Sequence, residues 1–245
     1  MRANYKMQRL FVDADLSAGG RVAVSAEQFN YLANVLRMSE DDPILLFNGR
    51  DGEWQARLTF ESKKKLTLTI ERQTREQTSQ PELHFLFAPL KVGRLDYLIQ
   101  KSVEMGAGVI QPVITQHTQN HRVSVEKLQA NALEAAEQCG ILALPLVCPP
   151  QKLDMILGTW DISRRIIFCD EDHTTQNPMS ALSNVKEKHL AVLIGPEGGF
   201  SDDERSLLRG LPFVTAIPLG PRILRADTAA VAALAVVQTL IGDWK

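Results

Sequence analysis

The stretch that decides the fold of this chain is Gly195-Pro196-Glu197-Gly198-Gly199-Phe200-Ser201, together with the later stretch Leu219-Gly220-Pro221-Arg222-Ile223-Leu224-Arg225. We call them the first loop (residues 195–201) and the second loop (residues 219–225). Each loop follows a short apolar run and leads into a predicted helix, and Ser201 with Glu204 has the pattern of a capping box. Two strand–loop–helix turns of this kind are typical of an α/β sheet, which binds ligands at the carboxyl ends of its strands.

The first loop does not have a phosphate-binding pattern. It is neither Gly-x-Gly-x-x-Gly nor Gly-Lys-Ser/Thr, and the carboxylate of Glu197 would repel a polyphosphate. Either loop alone could be an ordinary turn between a strand and a helix. Together they predict a small-molecule site that is not an ATP site.

Composition limits the class of protein. The 245 residues, 44% of them hydrophobic, are enough for one large domain or two smaller ones. No apolar run approaches the roughly 20 residues of a membrane span, and the start of the chain lacks the apolar stretch of a signal peptide, so we expect a cytoplasmic protein with no membrane contact. The net charge of −2 excludes a strongly basic surface but still allows a local RNA-binding patch.

Cysteine and histidine spacing argues against a metal centre. Cys139, Cys148 and Cys169 are odd in number and lack a Cys-x-x-Cys pair, which disfavours both a disulfide framework and a zinc site. The five histidines form no helix-spaced pair with a carboxylate. We therefore expect no metal.

Residues 1–72 predict a small β-barrel. Asn48-Gly49 is a hairpin signal, and Ser25 with Gln28 predicts a capping box that opens a short helix. The lysines at 63–65 are interpreted as a solvent-exposed hairpin tip, with a phosphate contact as the alternative. Apolar residues that alternate with polar ones, or lie in short runs, predict strands near residues 8–12, 44–47, 54–60 and 66–70.

Residues 73–82 are polar without an apolar period and predict a linker. In residues 83–245, strands and helices alternate, which predicts a mainly parallel sheet with helices on its faces. The last helix, residues 227–241, is apolar on nearly every side. It must therefore be buried in its own domain or against a second subunit, and both alternatives remain open.

Several motifs, in the same order along the chain, closely resemble those of the RsmE family, the ribosomal RNA small-subunit methyltransferases of the SPOUT superfamily. The resemblance extends nearly end to end. Besides the two loops it includes Arg9-Leu10-Phe11-Val12, Val35-Leu36-Arg37, Lys101-Ser102-Val103-Glu104-Met105-Gly106 and Ala136-Glu137-Gln138-Cys139-Gly140.

The resemblance implies a fold and an activity. Family members join an amino-terminal PUA-like barrel to a SPOUT-type α/β domain with a carboxyl-terminal trefoil knot. They are homodimers that use S-adenosylmethionine to methylate N3 of a uridine in 16S ribosomal RNA of the small ribosomal subunit. The alternatives are a SPOUT methyltransferase that acts on transfer RNA, perhaps on a ribose hydroxyl, and a catalytically inactive RNA-binding relative.

The resemblance also implies roles for particular residues. The N3 proton must leave before methylation, so the site needs a cation or N–H donor for the anionic base and an acceptor for the proton. Arg225 is the first choice for stabilising the base, with an ion pair to Asp227 or to another carboxylate as the alternative. Arg9, reaching from the barrel or from the other subunit, is the second choice. Glu197 is a candidate base, although binding N–H groups of its own loop is an equal alternative.

Other residues are expected to contact the cofactor and RNA. The expected RNA contacts are Arg9, Arg37, Lys91 and Arg94. The expected cofactor contacts are Gly195, Pro196, Glu197, Gly198, Gly199, Leu219, Gly220, Ile223, Leu224, Arg225 and Thr228.

The chain departs from the family pattern at three positions. Ile141 stands where the family usually has arginine, Asp227 where it usually has glutamate, and Asn34 where relatives are often basic or polar. The missing arginine removes one possible phosphate or active-site contact. The departures therefore bear on the expected target nucleotide, or on the affinity for it, more than on the expected cofactor.

Overall fold

The computed structural model describes residues 6–62, 64–91, 93–170 and 177–244. Contacts divide the chain into two compact units. The first unit contains the residues up to Gln80 together with Ala136–Leu144, and the second contains Pro81–Ala135 and the chain from Pro145 onward. The sequence predicted the division near residues 73–82 but not the membership of residues 136–144, which depends on contacts between segments far apart in the chain.

The first unit is built on a five-stranded mixed sheet in the order β1-β3-β4-β5-β2. β1 pairs with β3 in parallel, and the other pairs are antiparallel. Leu46, Leu58 and Leu68 belong to its buried core. β5 extends three residues into the range predicted as linker, because residues 73–75 still pair with β4. The strands are β1 (Arg9–Phe11), β2 (Arg21–Ala23), β3 (Pro43–Phe47), β4 (Glu53–Ser62) and β5 (Lys65–Arg75).

The predicted short helix and hairpin of this unit are both present. Helix α1 (Ala26–Phe29) begins with the Ser25–Gln28 capping box and continues into a π-helical turn, Asn30–Val35. Asn48 turns the chain between β3 and β4 by accepting two backbone N–H bonds with its side-chain oxygen. Within the predicted lysine tip, Lys63 lies outside the described residues.

The second unit is built on a seven-stranded sheet whose observed pairings are all parallel, in the order β12-β10-β11-β6-β7-β8, with β9 pairing β7. This confirms the predicted parallel sheet, whereas the trefoil knot stays a prediction. The strands are β6 (Leu83–Phe87), β7 (Ala107–Ile114), β8 (Leu146–Val147), β9 (Gln151–Lys152), β10 (Arg164–Cys169), β11 (His189–Ile194) and β12 (Val214–Ile217).

Helices connect these strands, and their ends follow the sequence signals. Helix α2 buries Leu95, Leu98 and Ser102, and the chain leaves it through Gly106 at φ +84°, a conformation that glycine adopts easily after a helix end. No helix within the described ranges has the length and apolar character needed to cross a membrane. The helices are α2 (Arg94–Glu104), α3 (Val125–Cys139), α4 (Leu153–Gly158), α5 (Pro178–Leu182), α6 (Asp202–Gly210) and α7 (Ala226–Leu240).

Helix α7 is buried on one face. Ala230, Ala233, Leu234 and Val237 are covered by the second unit, whereas Val236 is only partly covered. Burial in its own domain therefore accounts for one face of the helix and leaves part of its apolar surface open.

Candidate active site

Three adjacent strands of the second unit end at one cavity. β10 lies between β11 and β12 and is parallel to both, so the segments after these strands emerge at the same edge of the sheet. The cavity measures about 620 Å³, within the range typical of small-molecule sites. It is lined by Arg94, Cys169, Asp170, Ile194, Gly195, Pro196, Glu197, Gly199, Phe200, Arg205, Leu219, Gly220, Pro221, Arg222, Ile223, Leu224, Arg225, Ala226 and Ala229.

The first loop depends on two of its glycines. Gly199 has φ +68°, and its N–H donates to the Pro196 carbonyl oxygen at 3.0 Å, which closes a tight turn. A Cβ on Gly195 would lie 2.7 Å from the Phe200 ring, so only glycine allows that ring to pack there. The observed backbone of this loop beside the cavity therefore requires glycine at both positions.

The predicted capping box starts the helix that follows the first loop. The Ser201 hydroxyl accepts the Glu204 N–H at 3.2 Å, and the Glu204 carboxylate accepts the Ser201 N–H at 2.9 Å. These bonds satisfy donors at the start of α6 that would otherwise lack partners.

Arg225 of the second loop forms no ion pair with the residues that the structure describes. Gly220 in this loop has φ +98°, and Arg225 stands immediately before α7. The alternative ion pair with Asp227 is absent from the described residues, where the Asp227 carboxylate instead accepts the Thr228 N–H at 2.9 Å. The exposed guanidinium of Arg225 is thus available to a ligand.

The cavity contains charges of both signs. Its cations are Arg94, Arg205, Arg222 and Arg225, and its carboxylates are Glu197 and Asp170. Asp170 is only 2% exposed and accepts from Arg209 at 2.7 Å (Nε) and 2.5 Å (Nη2). Glu197 is exposed and accepts no hydrogen bond from the described residues. The predicted alternative, in which Glu197 binds N–H groups of its own loop, is therefore not observed in this part of the chain.

Sequence reasoning missed Asp170 and the Cys169 thiol beside it. Cys169 is the last residue of β10 and Asp170 follows it, and the sequence pattern did not connect the end of this strand with the two loops. Burial, with a smaller contribution from Asp170, raises the pKa of the Cys169 thiol, so this cysteine stays protonated at neutral pH. A protonated thiol is neither a nucleophile nor a metal ligand.

Most of the predicted cofactor residues line this one cavity. The exceptions are Gly198, which packs against His117 instead, and Thr228, which is exposed in the first turn of α7. Among the predicted RNA contacts, Arg94 lines the cavity, whereas Lys91 is exposed and outside the lining. The predicted cofactor residues that line the cavity are Gly195, Pro196, Glu197, Gly199, Leu219, Gly220, Ile223, Leu224 and Arg225.

Arg9, the second choice for stabilising the base, is buried in the first unit. Its Nε donates to Glu53 at 2.9 Å, and its terminal nitrogens donate to the carbonyl oxygens of Ala136, Glu137 and Ile141 at 2.6, 2.8 and 3.1 Å. Burial lowers the pKa of the Arg9 guanidinium, and the hydrogen bond to Glu53 opposes this shift. With 5% of its surface exposed, Arg9 fastens the end of α3 and offers no surface to RNA.

The remaining predicted positions of the first unit are exposed or half-buried. Arg37 is exposed at φ +55°. Asn34 donates to Asn30 at 2.8 Å, and the backbone carbonyl of Ile141 binds Arg9. The contact at position 141 thus uses the backbone carbonyl and not the side chain.

Comparison with known proteins assigns the chain to a family. The RNA methyltransferase domain family matches residues 77–238, and the RNA methyltransferase PUA domain family matches residues 24–71. The chain belongs to the RNA methyltransferase family. A curated relative, ribosomal RNA small subunit methyltransferase E of Buchnera aphidicola (subsp. Acyrthosiphon pisum), is 30% identical over 99% of this chain and 97% of the relative. The resemblance predicted from the sequence motifs is therefore confirmed.

Solved structures of the family have the same fold. The ribosomal RNA small subunit methyltransferase E of Neisseria gonorrhoeae, bound to S-adenosyl methionine, superposes with a TM-score of 0.81, at 28% identity over 98% of this chain and 100% of that one. A putative methyltransferase of Legionella pneumophila in complex with the cofactor SAM gives 0.80, at 29% identity over 95% and 97%. The predicted fold class, a SPOUT-like α/β domain preceded by a PUA domain, is confirmed.

Proposed function

We propose that this protein uses S-adenosylmethionine to methylate N3 of a specific uridine in 16S ribosomal RNA. The observation that carries the proposal is the cavity at the ends of β10, β11 and β12, where the first and second loops meet and where Arg225 has no ion-pair partner among the described residues. Two relatives of the same fold are named as complexes with this cofactor, which supports placing it in the corresponding cavity.

The lining residues suit S-adenosylmethionine better than a nucleoside polyphosphate. Apolar side chains, including Ile194, Leu219 and Leu224, provide a surface for an adenine ring. The carboxylate of Glu197, which accepts no hydrogen bond from the described residues, favours a ligand that carries a positive sulfonium and no phosphate. When bound, the cofactor supplies an electrophilic methyl group.

The protein's own residues prepare the uridine for methylation. Arg225 stabilises the negative charge that develops on the base when N3 loses its proton, because its guanidinium has no competing carboxylate among the described residues. Arg94, which lines the same cavity, is a second cation for the substrate.

Glu197 is the better candidate of the two carboxylates for accepting the N3 proton. Its oxygens are unengaged in the described part of the chain, whereas those of Asp170 bind Arg209. Glu197 is also exposed, so water can carry the proton away from it.

Recognition of ribosomal RNA requires more surface than the cavity provides. We assign this role to exposed cations of both units, with Arg37 in the first unit and Lys91 in the second. Arg9 is left out because its guanidinium is buried. Each bound phosphate would add to affinity and to its salt dependence.

We further propose that the protein is a cytoplasmic homodimer that uses the open face of α7. Val236 and the small side chains of Ala229 and Ala232 are partly exposed on this face. Small apolar residues allow a partner helix to approach closely, and burying them would remove apolar surface from water.

The direct test is to map modified nucleosides in ribosomal RNA from strains with and without the gene. We expect one N3-methyluridine in 16S ribosomal RNA to disappear with the gene and to return with purified protein and S-adenosylmethionine. A methyl group missing from transfer RNA instead would establish the alternative substrate. A protein that binds RNA but not S-adenosylmethionine would be an inactive relative.

A further inference from the structure

A histidine of another loop contacts two carbonyl groups of the first loop. The Nδ1 atom of His117, which follows β7, lies 3.1 Å from the carbonyl oxygen of Gly198 and 3.2 Å from that of Gly199. A Cβ on Gly198 would be 3.4 Å from the Cβ of His117, so the histidine is also in close packing contact with this turn. Gly199 lines the cavity, whereas His117 is not among the lining residues.

A second connection joins the same two segments. The N–H of Gln116 donates to Glu204 Oε1 at 2.8 Å, and the other oxygen of that carboxylate accepts the N–H of Ser201 at 2.9 Å. Glu204 therefore belongs to the capping box and also connects Gln116, in the segment after β7, with the end of the first loop. The two connections fix the first loop at adjacent points.

We propose that His117 is a positioning residue for S-adenosylmethionine. It acts by holding the carbonyl groups of Gly198 and Gly199, so that the turn is ordered before the ligand arrives. This inference depends on the proposed function, in which the first loop holds that cofactor.

The chemistry of the contact defines how His117 acts. Both partners of Nδ1 are carbonyl oxygens, which only accept, so Nδ1 must carry the hydrogen. A neutral ring with its hydrogen on Nε2 would place a lone pair against these oxygens. Only a side chain with a hydrogen-bond donor at the position of Nδ1 can bind the same two carbonyl oxygens.

The turn needs such support because glycines leave it many alternatives. Gly198 and Gly199 are free to adopt conformations that other residues avoid, and their entropy would be lost on ligand binding. When His117 orders the turn beforehand, this conformational entropy is lost during folding instead of on ligand binding. The ligand therefore binds more tightly. Removal of His117 should therefore weaken binding without changing the chemical step.

The test compares three substitutions at one position. His117→Ala removes the donor, His117→Asn places its amide nitrogen close to the position of Nδ1, and His117→Gln places it farther out, near Nε2. By calorimetry we expect His117→Ala and His117→Gln to bind S-adenosylmethionine about five- to tenfold more weakly, as for the removal of one hydrogen bond. His117→Asn should stay within about twofold of wild type. The KM for the cofactor should follow the same order, with kcat within about twofold of wild type.

Exposed His121, on the same segment, provides the matched control, and His121→Ala should leave the Kd unchanged. Hydrogen exchange measured without cofactor adds a second readout. The Gly199 amide, bonded to the Pro196 carbonyl, should exchange faster in His117→Ala and regain its protection in His117→Asn.

The outcomes separate the two proposals. If His117→Ala binds the cofactor as wild type does and its Gly199 amide keeps its protection, His117 has no positioning role. An equal decrease of affinity in all three variants would also overturn the proposal, because the donor at Nδ1 would then be irrelevant. If wild type itself does not bind S-adenosylmethionine, the proposed function fails, and the exchange rates alone decide whether His117 orders the turn.

Discussion

The guanidinium of Arg9 and the carboxylate of Glu53 form a buried ion pair, with Nε 2.9 Å from Oε2 and side chains that are 4% and 1% exposed. Arg75 approaches the same carboxylate oxygen at 3.4 Å and donates to the carbonyl oxygen of Gly140 at 2.8 Å. Two arginines on strands of the first unit thus bind the last carbonyls of α3 and the residues just after it. A helix end carries partial negative charge and free acceptors, which arginine satisfies.

The first prediction concerns this pair. Arg9→Ala would leave the Glu53 carboxylate buried with one partner fewer, and breaking a buried pair costs about 3–5 kcal/mol. Denaturant unfolding should show a decrease of this size in the free energy of unfolding. Arg37→Ala, at an exposed position, should change it by less than about 0.5 kcal/mol. An Arg9→Ala protein of normal stability but reduced RNA binding would restore the role first predicted for Arg9.

The second prediction concerns the turn of the first loop. Gly199 has φ +68°, where a β-branched side chain is strained, so Gly199→Val should abolish or greatly weaken binding of S-adenosylmethionine. Gly210→Val is the control, because a Cβ there has no other heavy atom within 4 Å. Circular dichroism should first confirm that both variants are folded, and calorimetry then measures their affinity for S-adenosylmethionine. Unchanged affinity in folded Gly199→Val protein would count against the placement of the cofactor.

The third prediction separates catalysis from RNA binding. Arg225→Ala should lower the single-turnover rate by about 10²-fold or more at saturating RNA and cofactor, because its proposed partner is the charge of the transition state. Its RNA affinity should change far less than the rate. Arg222→Ala removes a neighbouring cavity cation and should have the smaller effect on rate. Methylation by Arg225→Ala at the wild-type rate would remove Arg225 from the mechanism.

The fourth prediction concerns the RNA surface. Arg37→Ala and Lys91→Ala each remove one exposed cation, so each should weaken RNA binding. The slope of log K against log salt should flatten by roughly 0.7 to 0.9 for each phosphate that the variant no longer binds. Titrations at several salt concentrations measure both quantities. A variant with the wild-type slope would show that the substituted side chain does not bind a phosphate.

The fifth prediction concerns the dimer. Val236→Glu would place a carboxylate on the open face of α7, and burying an unpaired charge in an interface costs several kcal/mol. Sedimentation should show a wild-type dimer and a Val236→Glu monomer. Ser206→Glu adds the same charge on exposed α6 and should leave the dimer intact. A wild type that is fully active as a dilute monomer would contradict the proposed interface.

Much of the secondary structure of both units follows from local sequence patterns. Apolar runs predict strands, capping boxes mark helix starts at Ser25 and Ser201, and Gly106 ends α2, because each signal involves residues within a few positions of one another. The two loops were predicted to share a site because the ends of parallel strands open at one edge of a sheet. Nine predicted residues do line one cavity, and Arg225 is among them.

Contacts between distant segments lay beyond those patterns. An arginine in a strand carries no local sign of its partner, so Arg9 was predicted to contact RNA, whereas it is enclosed by Glu53 and by residues more than 120 positions away. For the same reason the sequence did not predict that Asp170 lines the cavity or that His117 contacts the first loop. Each of these residues acquires its role from a neighbour on another element. Periodicity and caps specify which elements form, because they act within one turn or one strand. Which side chains are buried, paired or left free for a ligand depends on how those elements pack, and that is settled in the folded chain.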